Sequence, residues 1–160
     1  MEDERFDDET EIREEHSAIR ALMKWIERDL AVEARSPEGI SGRSALTGPL
    51  RSFREHLERH FEFEERCGVI EAALLTFADA ESLIHEWRQQ HVILIRRIDA
   101  CVETLERSAR TGKPVGPEFA ADLRGVFVDL RHHDALENRA LGGPRATELR
   151  ESQSNFERCE

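Results

Sequence analysis

Four stretches of this chain carry apolar residues that step by three and four, and each stripe is interrupted near one end by a histidine, or by a histidine and a glutamate. Such stepping is the face an α-helix turns to a core, so the pattern predicts amphipathic helices packed side by side. Breaker-rich segments separate the stripes: ARSPEGISGRS at 34–44, TFADAES at 76–82 and RTGKPVGPE at 110–118. Helices are expected near 9–33, 46–67, 81–109 and 118–141, the last stopped by the Gly-Gly-Pro that follows. The second is expected to continue raggedly past Cys67 and Gly68 through VIEAALL, since one glycine weakens a helix without forbidding it. The fold class is all-α, with four helices turning their stripes to a common bundle core. At 160 residues the chain has the length of one domain. The bundle is placed at 9–142, after an acidic segment at 1–8 and before a loose tail at 143–160.

The stripes repeat. In the second helix the order is Leu46, Leu50, Phe53, Leu57, His60, Glu64, and in the fourth it is Phe119, Leu123, Val126, Leu130, His133, Glu137, position for position 73 residues later. The first helix reads Ile12, His16, Ile19, Met23, Ile26, Leu30, and the third Trp87, His91, Leu94, Ile98, Cys101, Leu105, a looser match at an offset of 75. The unit "lone His, then HxxxE" is therefore written twice. Within RHHDALENRA, residues 131–140, the phase chooses between the adjacent histidines. His133 continues its stripe and stands about 40° and 6 Å from Glu137 along the helix, while His132 points elsewhere, as a flanking or surface residue.

Four histidines and two glutamates on core stripes are costly, since an unpaired buried polar group loses roughly 2–7 kcal/mol and an unpaired charge more. A metal site or a self-satisfied polar cluster would each relieve that cost. Neutral imidazoles and carboxylates suit iron, manganese or zinc, and bundle cores build such sites from facing helices. Six ligands, two of them carboxylates free to bridge, describe a two-metal centre at His16, His60, Glu64, His91, His133 and Glu137.

Other chemistries fail on spacing or composition. HEWRQQH at 85–91 imitates a zinc-protease HExxH, but its second histidine comes six residues on, about 240° around the helix. No histidine has a glutamate three residues before it, as Glu-x-x-His di-iron bundles require; Asp129 and His132 come nearest. There is no nucleophile elbow, phosphate loop or CxxCH. A net charge of −11 argues against a nucleic-acid partner or an anionic membrane surface. Cys67, Cys101 and Cys159 are odd in number and lack CxxC spacing, which fits a reduced, cytoplasmic setting. No apolar run approaches membrane-spanning length, and the N-terminus lacks the order of a signal peptide, so a mature chain starting at or near Met1 is expected.

HSAIRAL at 16–22, HFEFEE at 60–65, HVILIRRID at 91–99 and HDALENRAL at 133–141 together resemble the hemerythrin-like, or HHE cation-binding, domains, over roughly residues 9–142. That resemblance implies an up-down-up-down four-helix bundle holding two non-haem iron ions with an oxo or hydroxo bridge and a place for dioxygen, peroxide or nitric oxide. It implies His16, His60, His91 and His133 as terminal ligands and Glu64 and Glu137 as bridges. The family's oxygen carriers have His-x-x-x-His on the third helix, whereas Trp87 stands four residues before His91 here, so respiratory oxygen carriage is not implied. Trp87 either borders an open coordination position or fills the core. His56 is read as exposed, Cys67 as packing rather than redox, and Trp25 as packing at the bundle edge.

The leading reading is a cytoplasmic di-iron protein that binds or senses a small oxidant, with slow oxidant turnover compatible but not required. An iron-handling or zinc-binding module without redox work is one alternative, and a metal-free helical interaction protein is another.

Overall fold

A computed structural model describes residues 2–35, 40 and 45–142, with side chains from residue 8 onward. The described residues form five helices: α1 (Glu2–Glu33), α2 (Thr47–Cys67), α3 (Val69–Leu74), α4 (Ala80–Thr111) and α5 (Pro117–Leu141). The expected tail at 143–160 lies outside them, as does most of the 34–44 breaker. Helix α1 starts at Glu2 rather than near residue 9, so most of the acidic segment continues the helix. None of these helices is long and apolar enough to cross a membrane.

Every stripe residue named above is buried. Helix α1 packs on α2 and α5, α4 packs on the same two, and the short α3 touches all four long helices. The result is a helical bundle with two apolar clusters. The larger runs from Ile19 to Leu30 on α1, Leu46 at the start of α2 and Leu50 to Phe61 along it, Leu94 to Leu105 on α4 and Phe119 to Leu130 on α5. The smaller gathers Ile12, Trp87, Ala140 and Leu141 with Val69, Ile70 and Leu74. Between them, in every stripe, come the histidines and glutamates.

The ragged continuation of α2 does not occur. Gly68 takes a left-handed conformation (φ 67°), and its N–H closes α2 on the Glu64 carbonyl at 3.1 Å. Glycine enters that region without the steric cost other residues bear, so the chain turns there instead of weakening. The turn brings Val69, Ile70 and Leu74 over the polar layer. Far along α4 and α5 from that layer, the Val115 N–H reaches the Ile40 carbonyl at 2.8 Å, joining the α4–α5 connection to the one after α1.

Candidate metal centre

His16 sits mid-way along α1, His60 and Glu64 in the last two turns of α2, His91 on α4, and His133 and Glu137 near the end of α5. Each replaces an apolar residue on its stripe, so helix packing carries all six into one layer; both glutamates are 0 % exposed. They form two sets sharing both carboxylates: His16, His60, Glu64 and Glu137, and Glu64, His91, His133 and Glu137, with one donor atom per residue within 4.8 Å of the others in its set.

The two glutamates are placed alike. Glu64 turns Oε1 to His60 Nε2 (3.1 Å) and His16 Nε2 (3.3 Å), and Oε2 toward His91 Nε2 in the other set (3.6 Å). Glu137 turns Oε1 to His133 Nε2 (2.9 Å) and Oε2 to His16 Nε2 (3.0 Å) across the layer. Each carboxylate thus spans both sets, one oxygen to a side. Donors 2.0–2.2 Å from one ion and at right angles about it lie about 3 Å apart, close to the four shorter contacts, while His91 Nε2 stands farther from Glu64 at 3.6 Å.

The tautomers point the same way. His91 Nδ1 donates to Glu65 Oε1 at 2.7 Å, and His133 Nδ1 donates to Gln90 Oε1 at 2.9 Å. A neutral imidazole has one N–H, so both Nε2 atoms then carry lone pairs, yet they face each other at 3.1 Å. Two acceptors at that distance repel unless a cation or a proton lies between them. Glu64 Oε2 is also buried without a hydrogen bond, and Glu137 Oε2 meets the His16 ring alone, at 3.0 Å. Inward lone pairs, outward N–H groups held by acceptors and inward carboxylate oxygens are the donor set of a cation site, and the residues fit the metal that the sequence implies.

Charge supports this. Burial by itself would lower the basicity of His16, but Asp134, Glu137 and Glu64 around its ring outweigh burial and push its pKa up to about 11. Burial would raise Glu137, yet the neighbouring His133, His16 and His91 hold it well below the usual carboxylate range. The layer is an anionic pocket that draws positive charge inward, onto His16 when no metal is there.

Sequence reasoning missed the outer partners. Asp134 Oδ1 lies 2.9 Å from His16 Nδ1, and Asp134 is itself held by Arg20 (2.7 Å) and Asn138 (2.8 Å). Burial would raise the Asp134 carboxyl, but His16 and Arg20 bring it below its ordinary value. Phe61 stacks on His91 with ring centroids 4.0 Å apart and planes 7° from parallel. Trp87 borders the site: its indole N–H donates to Glu137 Oε1 at 2.6 Å. The only sequence signal for the outer partners was adjacency, since Glu65, Gln90 and Asp134 each neighbour a candidate ligand.

The remaining residues fall outside the layer. His132 is exposed. His56 is half-buried rather than exposed and lies 2.8 Å from Glu15. The Cys67 thiol donates to the Glu64 carbonyl at 3.4 Å and packs against the smaller cluster. Trp25 is 36 % exposed, at the bundle edge. A cavity of about 10 Å³, room for about one water, lies among His16, His60, His133 and Glu137, with Ile19, Met23 and Leu130 on its apolar side.

No curated protein and no solved structure matches the chain. One family does: the hemerythrin HHE cation binding domain matches residues 7–143, taking in all five helices but for the first turns of α1. A buried layer of histidines and glutamates in an all-helical chain, together with a match of that extent, means that this protein belongs to the hemerythrin HHE cation-binding family.

Proposed function

We propose that the chain is a non-haem di-iron protein that binds or senses dioxygen, peroxide or nitric oxide, and that its four long helices run up-down-up-down around the site. The observation that carries the reading is the pair of four-residue sets sharing Glu64 and Glu137, each carboxylate turning one oxygen to either side. His16 and His60 would hold one ion, His91 and His133 the other, with the glutamates between. When bound, a pair of irons supplies reversible electron transfer to a small oxidant; zinc or manganese in the same donors would not do this equally.

The chain's own residues do the rest. Glu65 and Gln90 fix the imidazole tautomers of His91 and His133, and Asp134 faces the outer nitrogen of His16. Phe61, Ile19, Met23 and Leu130 line the small cavity on its apolar side, and Trp87 packs edge-on against His91, so bulk water is excluded. An apolar wall of that kind admits weakly polar diatomics more readily than hydrated ions. A net charge of −11 disfavours a nucleic-acid or anionic-membrane partner, and the free Cys67 and Cys101 among the described residues suit a reducing cytoplasm.

Anaerobic iron loading with elemental analysis, then exposure in turn to oxygen, peroxide and nitric oxide while the optical spectrum is followed, tests the reading. Two irons per chain and a spectral change with at least one of the three are expected. Two metal ions with no response to any would make this a metal-handling module, and no retained metal would leave a helical interaction protein; either result overturns the proposal.

A further inference from the structure

Ile12 and Trp87 hold equivalent positions, one turn before His16 and His91, and the structure makes them unequal. Ile12 is wholly apolar and buried in the smaller cluster. Trp87 is equally buried, crosses His91 edge-on with centroids 4.5 Å apart, and donates its indole N–H to Glu137 Oε1 at 2.6 Å. Among the described contacts, Glu64 Oε1 meets only the imidazoles of His16 and His60, and Glu64 Oε2 accepts no hydrogen bond. One bridging carboxylate carries a fixed donor from outside the ligand set and the other carries none.

The oxygen that Trp87 occupies also faces His133, 2.9 Å away. A charge-assisted hydrogen bond draws electron density from a carboxylate oxygen and claims one of its lone pairs. We propose, on the reading that these six residues hold two metal ions, that Trp87 is a positioning residue that weakens the metal position between His91 and His133 by occupying Glu137 Oε1. The same N–H stabilises the Glu137 carboxylate when no metal is present and fixes its rotamer, so that Oε2 stays turned to His16. Trp87 therefore trades metal affinity in its own half of the site for order in the metal-free chain.

Zinc(II) tests this without any activity, because it is redox-silent and takes imidazole and carboxylate donors. Trp87→Phe keeps an aromatic ring and removes the N–H. In calorimetric titrations of the full chain, the variant should tighten one of the two zinc equivalents by about tenfold, the size of one hydrogen bond to a charged group, and leave the other unchanged. Its metal-free melting temperature should fall. A merely structural role for Trp87 would weaken zinc binding and stability together, and that result, or two unaltered equivalents, overturns the inference. If Trp87→Phe does not fold, Trp25→Phe leaves Trp87 as the sole tryptophan; its emission should change with one zinc equivalent and not with the other. Emission following both equally, or neither, also overturns it. A wild-type chain that binds no zinc, or only one ion, overturns the two-metal reading itself and the inference with it, whereas two bound ions with an unaltered Trp87→Phe remove the inference alone.

Discussion

The two apolar clusters on either side of the histidine–glutamate layer differ in what supports them. The larger takes several turns from each long helix and is tied across its middle by Phe53 and Phe127, edge to face at 5.5 Å. The smaller takes single residues from α1 and α4, the end of α5, and the six-residue α3. A six-residue helix has almost no stability of its own, because it cannot repay the cost of its first turn. Its place depends on burying Val69, Ile70 and Leu74. The larger cluster therefore governs whether the chain is folded, and the smaller governs whether the polar layer is dry.

Truncating the larger cluster should have the greatest effect on stability. Phe53→Ala is expected to cost about 3–5 kcal/mol in denaturant unfolding, while the fraction that remains folded keeps its metal. Metal loss in step with stability would break the distinction between the two clusters.

Next in size are the adjacent histidines of α5. His133→Ala removes a candidate ligand and leaves buried Glu137 short of a partner, so stability should fall by about 1–3 kcal/mol and metal content should drop. His132→Ala should change neither. Equal metal loss from both variants, measured by elemental analysis, would mean that the helical phase does not select the ligand.

Leu74→Ala sharpens the comparison from the other side. It should cost about 2 kcal/mol, the low end for a buried leucine, yet speed the stripping of metal by a chelator more than Phe53→Ala does. If the two variants release metal at the same rate, α3 does not seal the site.

These contrasts also mark what was legible in the chain. Periodicity located all four stripes and, from them, the six residues that meet in one layer, because position on a stripe depends only on residue spacing along one helix. The α2–α3 break was not legible, since a glycine may sit inside a helix or end it, and the choice at Gly68 depends on what Val69 and Ile70 can bury against. Nor were Asp134, Gln90 and Glu65: they lie off the stripes, and their roles depend on rotamers and on the neighbouring helix. Trp87 shows the same limit within a stripe, where spacing gave its burial but not the direction of its N–H.

The smallest expected effect separates the clusters by their cysteines. Burial pushes the Cys101 thiol in the larger cluster up to about 11, and burial also raises Cys67 beside the smaller one. Only the thiolate reacts, so burial slows Cys101 both by hiding it from reagent and by holding it protonated. In a Cys159→Ser chain, alkylation at pH 8 should reach the half-buried Cys67 first, and both rates should rise with pH. Cys101 reacting first would place the looser end of the bundle on the wrong side of the polar layer.

That the six candidate ligands come from four separate helices has a consequence for the unfolded chain as well. Two cations, one held by His16 and His60 and the other by His91 and His133, with Glu64 and Glu137 shared, would close three successive loops of chain at once, from α1 to α2, α2 to α4 and α4 to α5. Cross-links act largely by restricting the unfolded ensemble, and a metal that must find its ligands across a whole chain contributes its binding free energy to folding. The loaded protein would then come apart in a single step at one level of the bundle, with release of the ions and separation of the helices as the same event.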